Sequence, residues 1–153
     1  MSVAAAPGEL RVRRLRDDAV MPVRAHDGDA GLDLVAVEGA VLAPGGGRAT
    51  IGTGIAVEVP HGWAGLVCPR SGLAARHGIG VVNGPGVVDA GYRGEVRVVL
   101  HNTDPVEPFT IAPGDRIAQL VLTPVLLADV VEVRELAEAT RDAAGFGSSG
   151  GFG

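Results

Sequence analysis

Two carboxylates, Asp29 and Asp33, bracket Ala30-Gly31-Leu32 at the entrance to an aliphatic run. Standing alone, this reads as a turn with an Asx cap. Further on, Pro69-Arg70-Ser71-Gly72-Leu73 puts a cation and a hydroxyl ahead of a glycine at an expected helix start. Backbone N–H groups point outward at such a start and bind anions. An ordinary helix cap with a solvated Arg70 fits that stretch equally well. Residues 83–95 run Asn83-Gly84-Pro85-Gly86-Val87-Val88-Asp89-Ala90-Gly91-Tyr92-Arg93-Gly94-Glu95. Asp89 follows aliphatic strand residues, where a carboxylate needs a reason to be. Tyr92 is the only tyrosine in the chain. Glycine-rich backbone lets a ligand approach closely, although a type I turn containing an aspartate is the plainer alternative.

In Gly114-Asp115-Arg116-Ile117-Ala118-Gln119-Leu120, Arg116 and Gln119 interrupt an apolar strand. Alone, that pattern is an exposed strand face. Near the end comes Arg141-Asp142-Ala143-Ala144-Gly145-Phe146-Gly147-Ser148-Ser149-Gly150. A Gly/Ser loop can wrap phosphates through its N–H groups, with Arg141 supplying charge and Phe146 a stacking face. It lacks the lysine and the strand–loop–helix setting of a P-loop. Together the five stretches offer arginines, backbone donors, a stacking aromatic and carboxylates. That set suits a nucleoside polyphosphate carrying Mg²⁺.

The elements that must position these residues follow from composition and punctuation. Nearly half of the 153 residues are apolar but only 3% are aromatic, so the core is aliphatic. Gly 24 and Pro 10 interrupt nearly every long window without periodicity, which favours many short strands over helices. Strands are expected at 10–15, 32–37, 49–59, 63–68, 94–100, 109–112, 116–122 and 125–133. Val81 to Asn83 and Val87-Val88 flank Gly84-Pro85-Gly86 as a hairpin bend. One helix is expected, with Ser71 as N-cap and Gly78 as its end. Strands recurring every ten residues or so describe a sandwich or barrel. Residues 1–8 are expected to be a flexible N-terminus, 9–136 the folded domain and 137–153 a flexible C-terminal segment, since Gly/Ser-rich sequence buries too little to fold alone.

A net charge of −5 disfavours nucleic acid as a partner. Cys68 is the only cysteine, so it has no disulfide partner within the chain and reads as a small apolar residue. The four histidines lack metal-ligand spacing and read as surface or turn residues. The Arg residues follow the Ala-rich start, the reverse of a secretory signal. The apolar run from Leu120 to Val131 is broken by Thr123, Pro124 and Asp129, so no bilayer span is expected. A cytoplasmic location follows.

In this order and spacing, the five stretches resemble the motifs of the trimeric dUTPase family from about Asp29 to Gly150. The resemblance implies an all-β fold, a β-clip or jelly-roll-like barrel of short strands with one short helix. It implies a homotrimer with active sites at subunit interfaces, in which residues 137–153 form a lid. The implied reaction is hydrolysis of dUTP to dUMP and pyrophosphate by water attack on the α-phosphate, which limits uracil in DNA and supplies dUMP for thymidylate synthesis. Asp89 matches the general base. Asn83, Val88 and Tyr92 match the uracil and deoxyribose pocket, with Tyr92 under the sugar leaving no room for a 2′-hydroxyl. Arg70, Ser71 and Gly72 match phosphate contacts from a second subunit, and Gln119 also reaches the phosphates. Arg141, Phe146, Gly147 and Ser148 match the closing tail, with Phe146 stacking on uracil. Mg²⁺ would be carried by the triphosphate without direct protein ligands, and Asp33 would touch its waters.

The chain departs from the family pattern at Asp142, where glycine is usual after the tail arginine, and at Gly91, where aspartate is common. Alternatives on the same fold are a dCTP deaminase, which needs a catalytic glutamate beside the base, and a non-catalytic nucleotide sensor. The residues 83–95 follow the hydrolase pattern instead.

Overall fold

The computed structural model describes residues 8–139, and the elements come in the order β1 (Arg11–Arg14), β2 (Gly31–Val35), β3 (Ala40–Leu42), β4 (Arg48–Glu58), β5 (Trp63–Cys68), α1 (Ser71–His77), β6 (Ile79–Val81), β7 (Gly86–Val88), β8 (Glu95–Asn102), β9 (Phe109–Ile111) and β10 (Arg116–Pro124). All strand pairings are antiparallel. One sheet has the order β1-β4-β8-β6, a second has β2-β10-β5-β7, and β3 with β9 makes a short ribbon. The expected all-β architecture with one short helix is observed.

Patterning explains the layers. Along β8, Val96, Val98, Leu100 and Asn102 are buried while Glu95, Arg97, Val99 and His101 are less so, the two-residue period of a strand with one inner face. The central strand β4 is buried without interruption from Ile51 to Val57. Leu34, Leu42, Ile51, Val98, Leu100, Ile117 and Leu120 meet in one aliphatic core. Truncating a leucine such as Leu120 to alanine there costs about 2–5 kcal/mol. Asn102 is fully buried yet satisfied: its Nδ2 donates to the carbonyls of Leu42 (3.2 Å) and Glu107 (2.8 Å), and its Oδ1 accepts from Asp104 N–H (2.9 Å). It ties β8 to the end of the β3–β9 ribbon where Leu42 faces Phe109.

A register shift interrupts the β4–β8 ladder between Gly52 and Ala56. Gly54 sits inside it at φ +67°, which favours glycine, and its N–H donates to Glu95 Oε1 at 2.8 Å. Gly78 ends α1 at φ +65°, and a Cβ there would lie 2.6 Å from Thr103 Oγ1.

Several expectations are corrected. Residues 125–133 form no strand: they lie exposed beyond β10, where Val125 N–H donates to the Gly62 carbonyl at 2.9 Å but no ladder pairing continues among the described residues. The N-cap of α1 is Arg70, not Ser71; Ser71 is the first helical residue, and Arg70 caps without a side-chain hydrogen bond. The bend at Gly84-Pro85-Gly86 is not a paired hairpin. β6 pairs with β8 and β7 with β5, so the bend carries the chain from one sheet to the other. The short strand β3 was not expected, since Gly39 and Pro44 crowd it. His77 and His101 belong to regular elements: His77 ends α1 with its ring 5.0 Å from that of Phe109, and His101 lies on β8. Cys68 ends β5, half-buried.

Candidate functional site

Strand register assembles the first cluster. Gln119 on β10 stands opposite Asp33 on β2 and opposite Cys68 on β5. The chain leaves β5 through Pro69, so Arg70 and Ser71 emerge beside that row. The result is a polar cleft of about 340 Å³ lined by Asp29, Gly31, Asp33, Arg70, Ser71, Gly72 and Gln119, with Ala25 and Ala30.

Asp33 is the anchor of this cleft. Its side chain is 14% exposed and meets Arg70 Nε at 3.5 Å and Arg116 Nη1 at 3.3 Å. Arg70 Nη1 also donates to the Arg116 carbonyl at 3.1 Å. Gln119 Nε2 donates to the Pro69 carbonyl at 3.0 Å. Arg70 offers its guanidinium to the cleft beside the Ser71 hydroxyl and the Gly72 backbone, donors that suit a polyphosphate. Gly31 leaves room for the Gln119 side chain: a Cβ there would overlap Gln119 Oε1.

The second cluster forms where β7 ends. A cleft of about 210 Å³ is lined by Val67, Val81, Asn83, Gly86, Val87, Val88, Asp89, Tyr92 and the β8 residues Glu95 to Val99. Buried Val67 and Val88 give it an apolar wall, and Asn83, Asp89 and Tyr92 give it polar groups. Asp89 leaves the sheet just past β7 and is exposed. A turn follows, closed by Tyr92 N–H donating to the Asp89 carbonyl at 3.0 Å. The Tyr92 hydroxyl donates to the Glu95 carbonyl at 2.9 Å, which lays the ring across Gly94. A flat apolar wall with an amide, a carboxylate and an aromatic ring fits a nucleoside.

The two clefts share no lining residue. The structure thus brings Asn83, Val88, Asp89 and Tyr92 together, and separately Asp33, Arg70, Ser71, Gly72 and Gln119. Arg141, Phe146, Gly147 and Ser148 lie outside the described residues. Arg116 looks like a strand-face residue in sequence; its spacing of three from Gln119 is visible there, but its partner Asp33 is 83 positions away. Glu95 and Arg97 were likewise missed as cleft residues. Among the described residues, no group of three or more His, Cys, Asp or Glu side chains is placed to hold a metal ion, and no helix is long and apolar enough to cross a membrane.

Residues 17–150 match the family model described as dUTPase. The chain is 58% identical over 142 residues to the deoxyuridine 5′-triphosphate nucleotidohydrolase of Thermobifida fusca, covering 93% of this chain and 79% of that one. It is 55% identical over 150 residues to the protein of the same name from Mycolicibacterium vanbaalenii, covering 95% of this chain and 97% of the other. Its fold matches the dUTPase of Staphylococcus bacteriophage 80alpha with dUpNHpp at a TM-score of 0.85 and 31% identity, over 94% of this chain and 99% of that one. A mutant dUTPase from phage phi11 of S. aureus, which coordinates a structural Mg(II) ion, matches at 0.77 and 30% identity, over 83% of this chain and 97% of that one.

Proposed function

The chain belongs to the dUTPase family, and we infer from this how its two clefts divide the work on one substrate. The protein hydrolyses dUTP to dUMP and pyrophosphate. The observation that carries the division is the gathering of Asn83, Val88, Asp89 and Tyr92 in one cleft while Arg70, Ser71, Gly72 and Gln119 line another.

In this reading, uracil and deoxyribose enter the apolar cleft. Asn83 bonds the base edge, Val88 packs against it, and the Tyr92 ring fills the space a 2′-hydroxyl would need. Asp89, exposed at the rim, orients a water and takes its proton as that water attacks the α-phosphorus. The leaving pyrophosphate is received by Arg70, Gln119, the Ser71 hydroxyl and the backbone at Gly72. Phosphoryl transfer depends mainly on such positioning and charge neutralisation.

The enzyme uses Mg²⁺ with its substrate. The phosphate cleft fits an ion that arrives on the triphosphate. Its carboxylates are Asp29 and Asp33, and Asp33 is already committed to two arginines, so it suits contact with metal-bound water. When bound, the ion neutralises phosphate charge and aligns the chain of phosphates. Arg141, Phe146, Gly147 and Ser148 would close over the bound nucleotide as a lid formed by residues 137–153, with residues 9–136 as the folded body and 1–8 as an N-terminal extension.

Because no residue lines both clefts, a complete site is best built from two copies. The exposed apolar side chains past β10 support self-association: Leu126 is 91% exposed, Val130 101% and Leu136 87%. A homotrimer with three shared sites accommodates both facts. An acidic chain without a span-length apolar helix among its described residues fits a cytoplasmic location.

Pyrophosphate release from dUTP, dTTP, dCTP and UTP tests the assignment of the pocket. Strong preference for dUTP is expected; comparable turnover of UTP at equal subsaturating concentration refutes the role of Tyr92. Ammonia release from dCTP would point to the deaminase alternative. Light scattering tests the assembly, and an active monomer near 15.5 kDa overturns it.

A further inference from the structure

The turn that carries Asp89 and Tyr92 has few ties of its own. One backbone bond closes it, from Tyr92 N–H to the Asp89 carbonyl, the Tyr92 hydroxyl adds one bond to the Glu95 carbonyl, and residues 89–93 are exposed or half-exposed. Ala90, Gly91 and Arg93 contribute nothing to the aliphatic core. A turn so placed needs another constraint if its tyrosine is to exclude one hydroxyl group.

Arg93 supplies it. Its Nη1 donates to the Ala90 carbonyl at 2.7 Å and to the Tyr92 carbonyl at 3.0 Å. One guanidinium nitrogen therefore ties the two sides of the turn together. Its other terminal nitrogen, Nη2, lies 3.6 Å from Glu58 Oε1. Glu58 ends β4, stands opposite Arg11 in the β1–β4 ladder and approaches Arg11 Nη1 at 3.8 Å through its second oxygen. The turn is thus fastened, through Arg93, to the end of β4, the longest strand among the described residues. Neither Arg93 nor Glu58 lines the nucleoside cleft.

We propose that Arg93 and Glu58 are positioning residues for sugar selection: Arg93, held by Glu58, clamps the turn so that Tyr92 stays where a 2′-hydroxyl would sit. This rests on the placement of Tyr92 under the deoxyribose proposed above. The guanidinium is suited to the task because its planar fork serves two carbonyls and a carboxylate at once. Arg93 and Glu58 act through Tyr92 and Asp89 and need not touch the nucleotide.

The test is the ratio of kcat/KM for dUTP over UTP in the wild type, Arg93→Met, Glu58→Gln, their double variant and Tyr92→Ala, each checked for assembly and thermal melting. Loss of two ordinary hydrogen bonds corresponds to roughly tenfold or more, so Arg93→Met should narrow the ratio by about tenfold. Glu58→Gln, which weakens the half-exposed ion pairs to Arg93 and Arg11 but leaves both carbonyl bonds of Arg93, should narrow it by about threefold. It should have no further effect in the Arg93→Met background. General destabilisation lowers activity toward both nucleotides alike and leaves the ratio unchanged. A wild-type ratio in both single variants overturns the clamp. If Tyr92→Ala alone collapses the ratio, the clamp fails and the sugar-pocket assignment stands. If Tyr92→Ala also keeps it, that assignment has failed as well. Should Arg93→Met not fold, Glu58→Gln decides.

Discussion

Gly94→Ala isolates the Tyr92 ring from everything else in the site. A Cβ at Gly94 would lie 2.6 Å from Tyr92 Cζ and 3.0 Å from Cε2, and would overlap the hydroxyl. Carbon atoms in ordinary contact sit about 3.5 Å apart or more, so the ring must retreat by about 1 Å. The ring is the free end of a side chain 45% exposed, so it can swing aside while the backbone stays put. Doing so breaks the 2.9 Å bond to the Glu95 carbonyl. Water replaces much of that bond at an exposed position, so the stability cost should stay near 1 kcal/mol. Catalysis is less tolerant, because a misplacement of about 1 Å can cost up to 10²-fold. The expected result is a fall of about 10- to 100-fold in kcat/KM for dUTP. UTP should suffer less, narrowing the preference by about tenfold, since the retreating ring vacates space for a 2′-hydroxyl. Pyrophosphate release at subsaturating nucleotide, beside a thermal melt, measures both. An unchanged dUTP:UTP ratio with a normal melt would refute the ring as the sugar platform. Equal losses for both nucleotides with a much lower melt would mean that Gly94 serves the fold alone.

Gly31→Ala should push Gln119 off the Pro69 carbonyl, raising KM for dUTP by about three- to tenfold with kcat little changed; an unaltered KM removes Gln119 from the phosphate contacts. Asp89→Asn should lower kcat by about 10²- to 10⁴-fold while calorimetry still detects binding of a non-hydrolysable dUTP analogue; retained activity would reassign the base, with Asp33 next in line. Deleting the chain after Thr140 removes none of the described residues, so the melt should hold while turnover falls by up to about 10²-fold, the scale of one lost base-stacking contact. Full activity of the truncated protein would leave the tail without a catalytic role. Leu126→Asp with Val130→Asp should dissociate the assembly and abolish activity, since each apolar side chain buried in an interface contributes about 1.5–3 kcal/mol; an intact, active oligomer would place those side chains outside the interface.

What the sequence revealed of the fold follows from where alternation is strong. β4, β5, β8 and β10 carry long aliphatic runs bounded by Pro or Gly, and their expected limits fall within a few residues of the observed ones. Leu10-Arg11-Val12-Arg13 marks β1 by the same alternation, with its arginines on an edge strand. β3 is three residues long and owes its existence to pairing with β9, a contact about 70 positions away that no local pattern records. The bend at Gly84-Pro85-Gly86 was legible as a bend. Its strands join different sheets because β5 and β8 offer longer partners than β6 and β7 offer each other.

The site was legible by residue type and illegible by partnership. Arg70, Asp33 and Gln119 stand out as polar residues in apolar surroundings, but only the β2-β10-β5 register puts them in one row. Arg93 gave no signal, because an arginine in a Gly-rich turn looks solvated until its bonds to Ala90 and Tyr92 are seen. The misassigned strand at residues 125–133 has a related cause. Its aliphatic content is real, and Val131 and Val133 are more than half exposed along with Leu126 and Val130. Hydrophobic pattern reports that a segment seeks burial without saying against which chain. Such an exposed segment, in a chain whose two clefts share no lining residue, fits the proposed active unit of more than one copy.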